Sequence, residues 1–116
     1  MSEHFKESEF ACPCCGKNDV NVRLIIYLEE LRSKLSDLMG REVYVIINSG
    51  YRCSRHNAAV GGKTASQHME GNASDIKVKD SRSGRYIAAS VILETAKDLF
   101  SYSYPINNRS VHVDVR

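Results

Sequence analysis

With 116 residues, 42% of them hydrophobic, the chain can bury one core but lacks the material for two, so a single domain over residues 1–116 is expected. A formal net charge of +2 leaves no basic stripe of the kind that nucleic-acid binding needs, and no run is apolar enough to span a bilayer. The polar start, Met1-Ser2-Glu3-His4-Phe5-Lys6-Glu7, lacks the form of a secretory signal, which predicts cytoplasmic synthesis.

The first notable segment is Ala11-Cys12-Pro13-Cys14-Cys15-Gly16, which holds three of the four cysteines; the fourth, Cys53, follows Tyr51-Arg52. Cytoplasmic synthesis argues against structural disulfides. Cys12, Cys14 and Cys15 can form part of a thiolate metal knuckle with a distant fourth ligand. The two-residue gap of such knuckles occurs only between Cys12 and Cys15, however, and no second pair completes it, so a tight turn with packed or free thiols is the preferred reading.

Asn18 or Asp19 can cap a helix running through Leu24, Tyr27, Leu28, Leu31, Leu35 and Leu38, whose spacings of three and four mark a core-facing stripe that Gly40 ends. Val43-Tyr44-Val45-Ile46-Ile47 reads as a buried strand, and Asn48-Ser49-Gly50-Tyr51 as the turn leaving it. The polar stretch from Arg52 to Gln67 is read as a short helical turn near Ser54 to Val60, followed by a loop that delivers His68. Ala73 to Val78 follows as a strand, with Asp75 and Lys77 on one face and Ile76 and Val78 on the other. A helix is expected from Gly84 to Phe100, broken by Ser101-Tyr102-Ser103-Tyr104-Pro105. The last strand alternates cleanly: Val111, Val113 and Val115 face inward, while Ser110, His112, Asp114 and Arg116 share the other face.

The chemistry centres on His68, Asp75 and His112. Two imidazoles and a carboxylate are the ligand set of a catalytic zinc that keeps a fourth position for water, which makes a metal-dependent hydrolase the leading reading. Zinc lowers the pKa of bound water from about 15.7 to roughly 7 and polarises a scissile carbonyl. Taken singly, Asp75 reads as a turn or cap residue and His112 as a polar residue on a strand face; it is their combination that points to a metal. His4 and His56 read as surface residues. Arg52 carries a planar guanidinium suited to bidentate capture of a carboxylate.

The run Ser49-Gly50-Tyr51-Arg52-Cys53, then Ser66-Gln67-His68-x-x-Gly71-x-Ala73-x-Asp75, then His112-Val113-Asp114, closely resembles the zinc D-alanyl-D-alanine carboxypeptidases. Their fold is shared by phage peptidoglycan endopeptidases and by the signalling domain of hedgehog proteins. The resemblance covers about Phe10 to Arg116. It implies a small α+β domain, with an antiparallel sheet, helices packed on one side and a zinc cleft on the sheet. It also implies Zn²⁺ held by His68, Asp75 and His112, and an Arg52 that contacts a substrate carboxylate.

The implied activity is hydrolysis of amide bonds in peptidoglycan stem peptides, by a D-Ala-D-Ala carboxypeptidase or, as the alternative, an endopeptidase of the phage endolysin type. A non-catalytic zinc-containing binding domain is the reading from a different class. Bacterial peptidoglycan or its muropeptides would be the partner, bound by a monomer that reaches the wall by phage-type release or as part of a particle. Relatives often place a carboxylate or histidine a few residues before the last zinc histidine. Here Ile106-Asn107-Asn108-Arg109-Ser110-Val111 has neither, so Asp114 becomes the candidate base, unless it bonds a zinc ligand or pairs with Arg116. Glu70 is a poorer candidate. Ser66 or Gln67 would orient His68, and Gly71 and Ala73 would let the backbone turn sharply and leave room beside the ion.

Overall fold

The computed structural model describes residues 4–62 and 66–116. In chain order these form a 3-10 turn at Glu7–Phe10, α1 (Val22–Met39), β1 (Val43–Ser49), α2 (Ser54–Ala59), β2 (Ala73–Asp80), α3 (Ala89–Ala96), β3 (Tyr102–Pro105) and β4 (Ser110–Asp114). The strands make one antiparallel sheet in the order β1-β2-β4-β3. This is the expected α+β architecture, with α1 and α3 sharing a core with one face of the sheet.

Strand alternation decides which side chains meet the helices. Ile76 and Val78 of β2 and Val111 and Val113 of β4 are fully buried, together with Leu24, Leu28, Leu31 and Leu35 of α1 and Ile92 of α3. Complete burial of a side chain of this size contributes about 2 kcal/mol, so these residues set the fold's stability. The opposite parity, Asp75 on β2 and His112 on β4, faces away from this core.

Several boundaries differ from the sequence reading. Asn21, not Asn18 or Asp19, caps α1, its side chain accepting from the Arg23 N–H at 2.9 Å. Gly40 ends the helix as expected, at φ 72°. Ile25 is buried and Leu38 is 64% exposed, so the stripe rotates off the core before the last turn. The helix expected from Gly84 to Phe100 is restricted to Ala89–Ala96. Gly84 closes a turn, its N–H donating to the Asp80 carbonyl, and Tyr86 bridges back to Lys79 in extended conformation. The segment read as a mere helix breaker, Ser101 to Pro105, contains edge strand β3. The loop expected before His68 runs through residues 63–65, which lie outside the described residues.

Gly71 has a backbone reason rather than a metal one. Its φ is 74°, and a Cβ there would lie 1.8 Å from the Asp19 carbonyl oxygen. The sequence reading gave this glycine a sharp turn and room beside an ion; the positive φ agrees with the turn, and the room it leaves is taken by the chain before α1.

Candidate metal centre

Sheet register assembles the site. Ser49 pairs with Asp75, Asp75 with His112, and His112 with Tyr104, so one row of residues crosses all four strands. His68 reaches this row from the turn before β2. Its Nε2 lies 3.1 Å from Asp75 Oδ1, and His112 Nδ1 lies 3.0 Å from the same oxygen. The three expected ligands thus converge, with ligand atoms within 4.8 Å of one another.

Each imidazole is fixed through its other nitrogen. His68 Nδ1–H donates to the Gly50 carbonyl at 2.8 Å, and His112 Nε2–H donates to Asp114 Oδ2 at 2.8 Å. The partner of His68 is therefore Gly50 and not, as the sequence suggested, Ser66 or Gln67; Ser66 Oγ instead accepts from the His68 backbone N–H. A carbonyl can only accept, and a carboxylate held by an arginine does the same, so in the neutral rings the lone pairs of His68 Nε2 and His112 Nδ1 both point at a carboxylate oxygen. Three acceptors facing one another are stable only around a cation. A tetrahedral zinc with ligand bonds of roughly 2.0–2.2 Å keeps its donors about 3.4 Å apart, close to the spacing found here. The residues fit zinc.

Burial raises the Asp75 carboxyl, and only where the two imidazoles turn an N–H toward it in place of an ion is the net direction down. Its second oxygen, Oδ2, accepts from Arg52 Nη2 at 3.1 Å. Arg52 is in turn aimed by Ser49 Oγ at 3.0 Å and Asn57 Oδ1 at 3.4 Å. Arg52 therefore stands at the cluster, as expected.

Asp114 lies elsewhere than its role as base requires. It is fully buried on the far side of His112, and Arg116 Nε and Nη2 donate to its two oxygens at 2.9 and 2.7 Å. These are the two alternative duties that the sequence left open, a bond to a zinc ligand and a pair with Arg116. Burial raises the Asp114 carboxyl, and Arg116 and His112 more than offset this, so the net direction is down. Glu70 is exposed. His4 is not a free surface residue, since its Nδ1 meets Glu29 at 2.7 Å.

The cluster opens into a cleft of about 420 Å³, lined also by Arg52, Arg116, Tyr102 and Tyr104. Tyr104 stacks on His112, with ring centroids 4.6 Å apart and planes 15° apart, and Arg116 lies over the Tyr102 ring at 4.7 Å. Both tyrosines were missed from the sequence. The alternation in Ser101-Tyr102-Ser103-Tyr104 is the signal that could have placed them together on one strand face.

No curated protein matches the chain. The sequence model of the Peptidase M15 family matches residues 3–114, nearly the whole length and both halves of the cluster. The chain belongs to the Peptidase M15 family, the family of zinc D-Ala-D-Ala carboxypeptidases and related peptidoglycan peptidases.

Proposed function

We propose that this protein is a zinc-dependent carboxypeptidase that removes the terminal D-alanine from peptidoglycan stem peptides, with His68, Asp75 and His112 as the metal ligands. The observation that carries the reading is the position of Arg52, a guanidinium against Asp75 that lines the same cleft as the cluster. A peptide's terminal carboxylate bound there lies next to the scissile bond, as removal of a single residue requires. An internal peptide bond offers no such charge.

Zinc at this cluster supplies Lewis acidity, which acidifies water and polarises the scissile carbonyl. The protein's own groups do the positioning. Gly50 and Asp114 fix the two imidazole tautomers, so that Nε2 of His68 and Nδ1 of His112 face the same point. Tyr104 packs flat on His112 and restricts its ring. Asp114 in this reading positions His112 and does not take the proton itself.

Purified protein incubated with defined muropeptides ending in D-Ala-D-Ala, followed by mass spectrometry, tests the reading. Loss of one alanine is expected. Internal cleavage would make the protein an endopeptidase, and unchanged substrate with zinc bound would favour a binding domain. Delivery to the wall by phage-type release remains part of the proposal; cleared cell-wall suspensions on external addition are its first requirement.

A further inference from the structure

The sulfur atoms of the chain gather at a second place. Cys12, Cys15 and Cys53 present Sγ atoms all within 4.8 Å of one another. Cys12 and Cys53, 41 residues apart in sequence, have their sulfurs 3.6 Å apart. Cys14 stands next to Cys15 in the same turn, and its thiol is exposed. Three cysteines therefore meet, the fourth is adjacent to one of them in the chain, and Cys53 is the distant ligand that the cysteine-rich turn lacked in the sequence.

Spacing and surroundings both suit a cation. Zinc–sulfur bonds of about 2.3 Å in a tetrahedron set the sulfurs about 3.8 Å apart. A disulfide needs about 2.05 Å, and all four cysteines are free. The turn is shaped to converge its thiols: Gly16, at φ 76°, donates its N–H to the Cys12 carbonyl at 2.7 Å, and the Cys12 N–H donates to the Lys17 carbonyl at 2.7 Å. Backbone N–H groups then point at sulfur. Cys53 N–H donates to Cys12 Sγ at 3.5 Å, and His56 N–H donates to Cys53 Sγ at 3.5 Å. Such donors offset the charge of thiolates. Cys12 is buried while Cys14 and Cys15 are exposed, which leaves a path for an ion to enter. A soft four-sulfur set selects zinc over the hard divalent cations.

We propose that Cys12, Cys14, Cys15 and Cys53 hold a second zinc ion, in a closed structural site separate from the cleft. This ion fastens the segment around Phe10 to the segment from Ser49 to Cys53. The two already touch closely: Tyr51 N–H donates to the Phe10 carbonyl at 2.9 Å, and a Cβ on Gly50 would lie 2.6 Å from Phe10 Cα. The fastened segment contains Arg52 and the Gly50 carbonyl that orients His68. The second ion thus acts on the cleft through position alone.

The test counts metal in a background from which the cleft site has been removed. His68→Ala/His112→Ala protein, purified with reductant and without chelator, is expected to carry close to one zinc per chain, against close to two in the parent. Cobalt substituted into the double variant should give the sulfur-to-cobalt charge-transfer band, and the four thiols should resist a disulfide reagent until chelator is added. Cys12→Ser/Cys53→Ser in the parent should lower the count from two to one. If that variant fails to fold, the cobalt spectrum of the histidine variant decides. If the histidine variant also fails, the charge-transfer band and thiol protection of the parent decide. Absence of the band together with freely reacting thiols overturns the proposal, as does a Cys12–Cys53 disulfide in the intact mass. A parent with one zinc and a full thiolate band supports this site and counts against the proposed metal site in the cleft.

Discussion

Because Asp114 accepts from His112 and from Nε and Nη2 of Arg116, its substitution tests positioning against proton transfer. Asn keeps an acceptor for the His112 Nε2–H, and Ala does not. Asp114→Ala is expected to weaken zinc binding by roughly 10–100-fold, the usual scale for a carboxylate behind a metal-bound histidine, with Asp114→Asn close to the parent in metal content. At saturating zinc, Asp114→Asn should keep turnover on muropeptides within about tenfold. A loss of roughly 10²–10⁴-fold with full zinc would instead make Asp114 the base. Arg52→Ala should leave zinc in place and raise KM, with kcat falling too where the clamp aligns the scissile bond. Arg52→Lys should recover little, since an ammonium cannot reproduce the guanidinium fork.

The elements are joined at a few places with no room for a side chain, and Gly71 is the sharpest. At φ 74° and with the Asp19 carbonyl against its Cα, Gly71→Ala combines backbone strain with a clash. A loss of about 2–4 kcal/mol in denaturant unfolding is expected, large for one methyl group. The sequence showed the type of each long element because burial there follows a period. The leucines of α1 and the valines of β4 are the evidence, since Leu24, Leu28, Leu31, Leu35, Val111 and Val113 are all buried. It misjudged α3 and missed β3, because Gly84 to Ile87 fold back onto the end of β2 and Tyr102 to Pro105 pair with β4 in a hairpin, backbone contacts that the apolar period does not register. The three proposed metal ligands were legible as residue types at a spacing. The Gly50 carbonyl was not, because a backbone oxygen has no letter of its own. The gathering of Cys53 with the other cysteines depends on the approach of Phe10 to Gly50, which no local pattern announces.

At the scale of the whole molecule, acid should unfold the protein through its tied carboxylates. Arg41 clamps Asp80, joined by backbone N–H groups of Arg82 and Ser83, and holds it well below the usual range. The unfolded chain, with aspartates near 3.9, then binds more protons than the fold as pH falls through the carboxylate range. Stability from this group is complete above about pH 5 and declines below about pH 4. Urea midpoints measured against pH should show that decline, and Asp80→Asn should flatten it while lowering the plateau. The sheet order has another consequence. β4 is the last strand in chain order yet lies between β2 and β3. Without residues 110–114, β2 loses its partner on one edge, β3 loses its only partner among the described residues, and Asp75 has no His112 opposite. β4 closes the sheet and completes the His68–Asp75–His112 cluster in one stroke, so a chain truncated before residue 110 is expected to lack both. Such a chain also carries unpaired strand edges of the kind that aggregate.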